Sequence, residues 1–384
     1  ADLIRAWENP EVNLFYPYFS ERLLSLLEKD GTNVVGLSLN YLSQALCTFA
    51  MAGFLKKESA NLKIILGGGL VTSWMSRPDW KNPFEGLVDL MVSGPGEDAL
   101  LSFAGVSGSG GHGVPDYGGF PCEAYTAPGF ILPYSASKGC YWGKCSFCPE
   151  NAEGIPFRPL RVEDVVRDLK TLRGRRKPVL VHFLDNAMSP ALLRTLCKHP
   201  PGAPWYGFAR ITEDLKDPDF CAALKRSGCR MLKLGLESGE QEVLESLRKG
   251  IHLDVASQAL RALNKAGIAT YVYLLFGTPD ESPEAAERTL EFTVTHSRNI
   301  DFLNIAIFNM PAHGRDAEKF QTKDFYEGDL SLYRGFLHPL GWDRSAVRQF
   351  LDKRFKRHPA VAAILRKDPP FFTSNHAPFF CPVT

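Results

Sequence analysis

"CRMLKLGLES" runs from Cys229 to Ser238 and consists mainly of apolar residues until it ends in a carboxylate and a hydroxyl. Such a run predicts a strand buried in a sheet. Five further stretches have the same character and alternate with helical segments, namely "FILPYSAS" (130–137), "PVLVHFLD" (178–185), "PWYGFAR" (204–210), "ATYVYLLFGTP" (269–279) and "DFLNIAIFNMP" (301–311). Repeated βα units predict a parallel sheet that right-handed crossovers curl into a full or partial barrel, with its chemistry at the carboxyl ends of the strands.

The front of the chain predicts a second α/β domain. "VVGLSL" (34–39), "LKIILGGG" (62–69) and "VDLMVSGPGEDALL" (88–101) each contain a short apolar run, and helical stretches separate them. The pattern indicates half of a doubly wound, Rossmann-like domain, which binds ligands beyond the carboxyl ends of its strands. The glycines fall at those ends.

Length and composition limit the number of domains that the chain can form. The 384 residues are 45% hydrophobic and 23% charged, enough for two or three domains with large cores. We expect a Rossmann-like domain over 1–104 that lacks an N-terminal piece, a glycine-rich linker over 105–129, a barrel over 130–315 and a helical, aromatic extension over 316–384.

Charge and hydropathy restrict the kinds of binding partner and the cellular location that we expect for this chain. The net charge of +1 gives no general case for a polyanion, and the basic runs at 173–177 and 352–358 are typical of solvated turns and helix faces, so no nucleic acid is expected. No apolar run is long enough for a membrane span, and the start lacks the pattern of a secretory signal. We therefore expect a cytoplasmic protein, in which clustered cysteines bind metal or react rather than form disulfides.

Three of the nine cysteines lie in "SKGCYWGKCSFCPE" (137–150), directly after the first predicted barrel strand. A structural zinc site normally closes with four ligands, and no second Cys or His pair at such spacing is visible. The other cysteines are scattered and predicted to be small buried hydrophobes, although Cys381 could fold back on the site. Three thiolates on a [4Fe-4S] cluster would leave one iron without a protein ligand, open to an exogenous amino acid.

This stretch resembles the radical S-adenosylmethionine (SAM) enzymes, whose signature is C-x3-C-x2-C with an aromatic residue before the last cysteine. Here four residues rather than three separate the first two cysteines. The resemblance implies that Cys140, Cys145 and Cys148 hold the [4Fe-4S] cluster. Four later strand ends, "HFLDNAMS", "FARI", "LGLESGEQEVLESLRKG" and "LLFGTPDES", are similar to the family's SAM-binding segments. They imply SAM contacts for Phe147, Asp185, Arg210, Glu237, Ser238, Gly277 and Pro279, with Asn186 beside Asp185.

The front half is similar to the cobalamin (B12)-binding domain of one radical SAM class. That resemblance implies a cobalamin pocket lined by Ser38, Gly67, Gly68, Thr72, Gly94 and Glu97. The Asp-x-His-x-x-Gly sequence that supplies a lower axial histidine in other cobalamin proteins is absent.

The resemblance implies reductive cleavage of SAM to a 5′-deoxyadenosyl radical, and cobalamin-dependent methylation at an unactivated carbon of a small molecule, lipid or peptide. A low-potential donor such as flavodoxin or ferredoxin would supply the electron. Two alternatives stay open: a non-methylating rearrangement, cyclisation or carbon–carbon coupling in the same class, and a non-catalytic iron–sulfur or zinc protein.

Overall fold

A computed structural model describes residues 1–30, 32–106, 112–312, 314, 317–324, 330–369 and 376–381. Residue 31 of the predicted first domain, 107–111 of the predicted linker, 313 and 315 of the predicted barrel, and 316, 325–329, 370–375 and 382–384 of the predicted extension lie outside these ranges. The chain divides into two compact units, Ala1–Gly113 and Val114–Thr384. Val114 and Tyr117, within the predicted linker, pack against the core of the second unit.

The first unit contains a three-stranded parallel sheet in the order β1-β2-β3. In chain order its elements are α1 (Asp2–Glu8), α2 (Tyr16–Asp30), β1 (Val34–Ser38), α3 (Ala45–Glu58), β2 (Lys63–Gly67), α4 (Gly69–Met75), β3 (Leu90–Met91) and α5 (Glu97–Phe103). The three strands are those that the apolar runs predict.

Helix α3 is buried on more than one side. Phe49, Phe54 and Leu55 are all buried in it, and α1 and α2 pack against it. The approach of α1 is so close that a Cβ atom at Gly53 would lie 1.9 Å from the carbonyl oxygen of Trp7. A helix covered by other helices has no wide polar face, so periodicity alone could not place its neighbours.

The second unit is built on six parallel strands in the order β11-β10-β9-β8-β7-β4. They are β4 (Ile131–Tyr134), β7 (Leu180–Met188), β8 (Trp205–Ala209), β9 (Cys229–Glu237), β10 (Ala269–Phe276) and β11 (Phe302–Ile307). These strands are neighbours in the order in which they occur along the chain. Within the described residues the two edge strands do not pair with each other, so the sheet is a partial barrel. The predicted α/β fold class is confirmed.

Helices and short strands surround this sheet. They are β5 (Ser137–Lys138), α6 (Pro149–Ala152), β6 (Arg158–Pro159), α7 (Val162–Arg176), α8 (Pro190–Lys198), α9 (Pro218–Arg226), α10 (Gln241–Ser246), α11 (Leu253–Lys265), α12 (Pro283–Thr295), β12 (Met310–Pro311), β13 (Thr322–Asp324), β14 (Tyr333–Phe336), α13 (Arg344–Phe350) and α14 (Pro359–Leu365). Their apolar faces and the outer face of the sheet form one core, in which Phe183, Leu234 and Phe276 are fully buried.

The helices that follow the strands begin at local sequence signals. Ser189, Asp217 and Ser282 each accept a hydrogen bond from a backbone N–H in the first turn of α8, α9 and α12. In each case a proline follows directly. Proline suits the first helical position because its fixed φ is already helical and no N–H is needed there.

Residues 376–381 pack at the amino ends of the barrel strands. Phe380 and Cys381 contact an apolar cluster that includes Tyr206 and Tyr271. These two tyrosines lie near the beginnings of β8 and β10, whereas Cys140, Cys145 and Cys148 follow the carboxyl end of β4. The alternative in which Cys381 folds back on the cysteine loop is therefore wrong. No helix within the described ranges is both long and apolar enough to cross a membrane.

Candidate active site

The cysteine loop, residues 139–148, leaves the carboxyl end of the sheet. Its three cysteines are free thiols, with Cys145 buried and Cys140 and Cys148 partly buried. Burial raises the pKa of the Cys145 thiol, while the charges of Lys249 and Arg210 oppose that rise. Burial also raises the pKa of Cys148, against backbone N–H groups that favour its thiolate. The loop thus holds its sulfurs in partly buried positions, and Lys249 and Arg210 place positive charge beside Cys145.

Arg210 lies beneath the loop and binds it at two points. Its guanidinium is buried, and Nη1 donates to the Cys145 sulfur at 3.8 Å. The same group lies 4.2 Å from the centre of the Trp142 ring, and Nη2 donates to the backbone carbonyl of Lys249. Arg210 therefore connects the end of β8 to the cysteine loop and to the segment after α10. Contact of Arg210 with SAM stays a prediction.

Glu237 forms a buried ion pair with Lys249. Lys249 Nζ lies 2.6 Å from Glu237 Oε1, and the two side chains are only 6% and 11% exposed. Lys249 Nζ also lies 5.4 Å from the centre of the Phe147 ring. Sequence reasoning missed Lys249, because a lysine before a glycine near the end of a helical stretch carries no signal of burial; only the fold brings it back to Glu237.

Residues 248–250 contact the cysteine loop through Trp142. Trp142 Nε1 donates to the carbonyl of Arg248 at 2.9 Å. Gly250 has a φ of 63°, and a Cβ atom there would lie 2.2 Å from the Trp142 ring. Glycine is required at this position because it accepts the left-handed conformation and leaves room for the indole.

The end of β7 holds the cysteine loop at both of its ends. Buried Asp185 accepts hydrogen bonds from Ala136 N at 3.0 Å and from the Ser137 hydroxyl. Exposed Asn186 donates to Glu150. The sequence paired Asp185 and Asn186 as residues that face the site, and the structure shows that both bind chain segments flanking the cysteines. Their contact with SAM stays a prediction.

Ser238 and Gly277 lie at the ends of neighbouring strands, but their polar groups bind the protein itself. The Ser238 hydroxyl is fully buried, lies 3.1 Å from that of Thr289 and accepts the N–H of Glu240. Gly277, with a φ of 77°, donates its N–H to the Glu281 carboxyl. Both residues therefore shape the strand ends, and a contact of either with SAM stays a prediction.

Glu281 is a fully buried carboxyl that sequence reasoning did not select. Oε2 accepts hydrogen bonds from Gly277 N and, at 2.9 Å, from Trp342 Nε1, whereas Oε1 has no hydrogen-bond partner in the described structure. Burial raises its pKa from 4.5 to about 7. A carboxyl whose pKa rises on folding binds its proton more tightly in the folded state. Its contribution to stability is complete below its unfolded pKa and is lost as the pH rises through its folded pKa.

Replacement of Glu281 with glutamine is expected to flatten the pH dependence of stability. Between the unfolded pKa of 4.5 and the folded value of about 7, the free energy of unfolding should fall less steeply with pH, by up to about 1.4 kcal/mol per pH unit. Urea unfolding at several pH values measures this slope. Replacement of the exposed Glu242 by glutamine is the control, and parallel profiles for Glu281→Gln and the wild type would contradict the assignment.

A cavity of about 220 Å³ lies beside the cysteine loop. Phe147 from the loop and Pro279 from the turn after β10 line the same space, together with Lys144, Ser146, Asn151, Ser246, Leu247, Arg248, Asp280, Phe308, Gly314, Lys319 and Phe320. Seven of the thirteen lining residues are polar or charged, so the aromatic side chains among the rest suit a purine ring and the polar ones suit the groups attached to it. Two residues that the resemblance assigns to SAM therefore meet in one cavity.

In the first unit the predicted cobalamin residues gather at the carboxyl ends of the three strands. Ser38 pairs with Gly67 in register. The Thr72 hydroxyl donates to Gly68 O at 3.0 Å and accepts the N–H of Gly94 at 2.9 Å, which ties the ends of β2 and β3 together. Glu97 begins α5. Contact of any of these six residues with cobalamin stays a prediction.

The donor set fits an iron–sulfur cluster in its chemistry. The three thiols are free, they interact electrostatically in the pairs Cys140–Cys145 and Cys145–Cys148, and two cations face Cys145. Thiolates are the usual ligands of such clusters, and nearby positive charge offsets their negative charge. Among the described residues, no three His, Cys, Asp or Glu side chains are grouped closely enough to hold a single metal ion.

A protein-family model, the radical SAM superfamily, matches residues 134–293. The match begins at the end of β4 and includes the cysteine loop and the strands up to β10. This part of the chain is a radical SAM domain. The resemblance that the cysteine motif and the four strand ends indicated is therefore confirmed.

Two curated relatives share part of this sequence. A bacteriochlorophyllide d C-12(1)-methyltransferase from Chlorobaculum tepidum is 30% identical over 173 residues, which are 42% of this chain and 37% of that protein. An uncharacterized methyltransferase from Pyrococcus horikoshii is 26% identical over 204 residues, or 50% of this chain and 43% of that protein. The chain thus spans less than half the length of either relative.

Solved structures with the same fold include cobalamin-dependent radical SAM proteins. The methyltransferase TsrM from Kitasatospora setae, with cobalamin and a [4Fe-4S] cluster bound, superposes with a TM-score of 0.63 at 15% identity over 92% of this chain and 82% of its own. OxsB with aqua-cobalamin bound gives a TM-score of 0.63 at 15% identity over 88% and 60%. These likenesses extend beyond the radical SAM domain to most of this chain, and at such identity they concern the fold.

Proposed function

We propose that the chain is a radical SAM enzyme that binds a [4Fe-4S] cluster through Cys140, Cys145 and Cys148 and binds SAM beside it. The observation that carries this proposal is the shared cavity, because Phe147 of the cysteine loop and Pro279 of the glycine–proline turn line it together. When bound, the cluster supplies the electron that cleaves SAM to methionine and a 5′-deoxyadenosyl radical.

The chain's own residues would position the reactants and exclude water. Arg210 and Lys249 supply positive charge to the Cys145 sulfur, and the Trp142 ring covers Arg210. Phe147 presents an aromatic surface to the cavity, which suits stacking on adenine. The dry surroundings of Cys145 would protect a reactive species from side reactions with solvent.

We further propose cobalamin-dependent methylation of a carbon atom in the substrate, with the first unit as the cobalamin-binding domain. The names of both curated relatives include a methyltransferase activity, and the solved TsrM and OxsB structures, of similar fold, contain cobalamin. In the first unit the exposed Ser38 and Gly94 lie at strand ends that a bound cofactor could reach. A low-potential ferredoxin or flavodoxin is the proposed electron donor.

The proposal is tested by anaerobic purification, reconstitution with iron, sulfide and cobalamin, and reduction with dithionite in the presence of SAM. Formation of 5′-deoxyadenosine tests the radical SAM activity. With a substrate, a mass gain of one CH2 group together with S-adenosylhomocysteine supports methylation, whereas product formation with deoxyadenosine alone overturns methylation and retains radical chemistry. A chain that binds iron but never cleaves SAM would overturn the proposed activity.

A further inference from the structure

A second and larger cavity, of about 450 Å³, lies beyond the carboxyl ends of β10 and β11. This volume lies within the range of about 300–1,000 Å³ that is usual for small-molecule sites. Its walls are Gly277, Ile307, Phe308, Lys323, Asp324, Arg334, Gly335, Phe336, His338, Trp342, Asp343, Arg344, Ser345 and Arg348. None of the three cysteines lines either cavity, and Gly277, which the resemblance assigns to SAM, lies in the wall of the larger one.

The floor of this cavity is aromatic and uncharged. Phe308 and Phe336 lie edge to face, with ring centres 5.8 Å apart, and buried Trp342 continues the surface. The buried His338 is held as the neutral tautomer that is protonated at Nε2. Its Nδ1 accepts the N–H groups of Leu340 and Trp342, which leaves Nε2 to donate to the carbonyl of Thr278 at 2.8 Å. Such a floor suits a flat, apolar ring system.

The rim of the cavity is predominantly positive. Four cationic side chains line it, Lys323, Arg334, Arg344 and Arg348, against the two carboxylates of Asp324 and Asp343. One of these carboxylates already accepts the N–H of Ala346 at the start of α13, and Arg344 donates to Asn309 Oδ1 at 2.7 Å. Guanidinium groups bind carboxylates and phosphates through paired hydrogen bonds, so the excess of cations favours an anionic ligand.

The two cavities adjoin each other at Phe308, which lines both of them. A molecule on the aromatic floor would therefore lie next to the space that Phe147 and Pro279 share. We propose that the larger cavity is the substrate pocket and that it takes a flat, apolar molecule carrying a carboxylate or a phosphate. The assignment as a substrate pocket rests on the proposed radical SAM function, whereas the binding preference does not.

Calorimetric titration of the reconstituted full chain with 2-naphthoate, 2-naphthyl phosphate and the neutral 2-naphthamide tests the binding preference. The three probes share one ring system, so a comparison of their affinities isolates the anionic group. Charge reversal in Arg334→Glu should weaken binding of the favoured anion about tenfold or more and change naphthamide binding less than about twofold. Arg348→Glu provides a second variant if the first does not fold, because Arg348 is exposed on α13.

Arg175→Glu is the matched control. Arg175 is exposed in the last turn of α7, just before β7 begins, and so lies at the opposite end of the barrel. We expect the Arg175→Glu control to bind each probe with wild-type affinity. The wild-type chain should prefer one of the two anions, and the preferred anion identifies the recognised group as a carboxylate or a phosphate. Equal affinity for all three probes, or equal losses in Arg175→Glu and both pocket variants, would overturn the pocket.

Deoxyadenosine formation in the same preparations separates this inference from the proposed function. A chain that cleaves SAM but shows no anion preference overturns the pocket alone. A chain that selects the anion through Arg334 or Arg348 but cleaves no SAM overturns the enzymatic function and supports an anion-binding pocket.

Discussion

Replacement of Lys249 with methionine is expected to lower the free energy of unfolding of the radical SAM domain by about 3–5 kcal/mol, the range observed when one partner of a buried ion pair is removed. Glu237 would keep a buried charge without its 2.6 Å partner. The loss should also reach the cysteine loop, because Lys249 contributes positive charge at Cys145 and lies against Phe147. Hydrogen–deuterium exchange of β9 and β10 measures the effect within this domain alone.

The double variant Lys249→Met, Glu237→Gln is the matched test of this prediction. Removal of both charges leaves no unpaired carboxylate, so the double variant should recover most of the stability that the single variant loses. If Lys249→Met unfolds with the same free energy as the wild type, the pair is not buried in solution and its role beneath the cysteine loop is wrong.

Replacement of Gly250 with alanine is expected to displace the cysteine loop and to reduce the iron content of the reconstituted protein severalfold. The new Cβ atom would lie 2.2 Å from the Trp142 ring, and the resulting overpacking costs about 1–3 kcal/mol unless the indole moves. Movement of Trp142 would break its hydrogen bond to Arg248 and its contact with Arg210. Iron and sulfide analysis per chain measures the outcome.

Gly267 is the control position that separates the effect of the Trp142 contact from the effect of backbone strain. It has a φ of 71°, close to the 63° of Gly250, but its nearest neighbour is the flexible end of Lys225 at 3.6 Å. Gly267→Ala should therefore lose about 1 kcal/mol through its left-handed backbone alone and retain full iron loading. Equal iron loading in the Gly250 and Gly267 variants would show that Trp142 does not position the loop.

Much of the fold could be predicted because the strands are nearly continuous apolar runs. Strand β9 was predicted over Cys229–Ser238 and lies at Cys229–Glu237, since a strand covered on both faces has few polar residues to blur its limits. The cysteine loop could be predicted for a different reason. Its three sulfurs and the aromatic Phe147 lie close together in sequence, so no long-range contact was needed to recognise it.

The surroundings of the loop could not be predicted, because long-range contacts determine them. Asp185 and Asn186 bind residues on either side of the cysteine loop, and these partners lie 36 to 49 positions earlier in the chain. Nothing in "HFLDNAMS" specifies those partners. Lys249 and Glu281 are charged residues whose burial depends on the packing of distant segments. A charged residue normally indicates exposure, so the sequence does not predict the burial of either side chain.

The yield of 5′-deoxyadenosine per chain, after anaerobic reconstitution and reduction with SAM, tests the central claim most directly. Cys145→Ala is expected to abolish this product, as are the equivalent changes at Cys140 and Cys148. Cys197→Ala, which alters a cysteine on α8 outside the loop, should retain it. Undiminished deoxyadenosine from the Cys145 variant would contradict a cluster held by these three sulfurs.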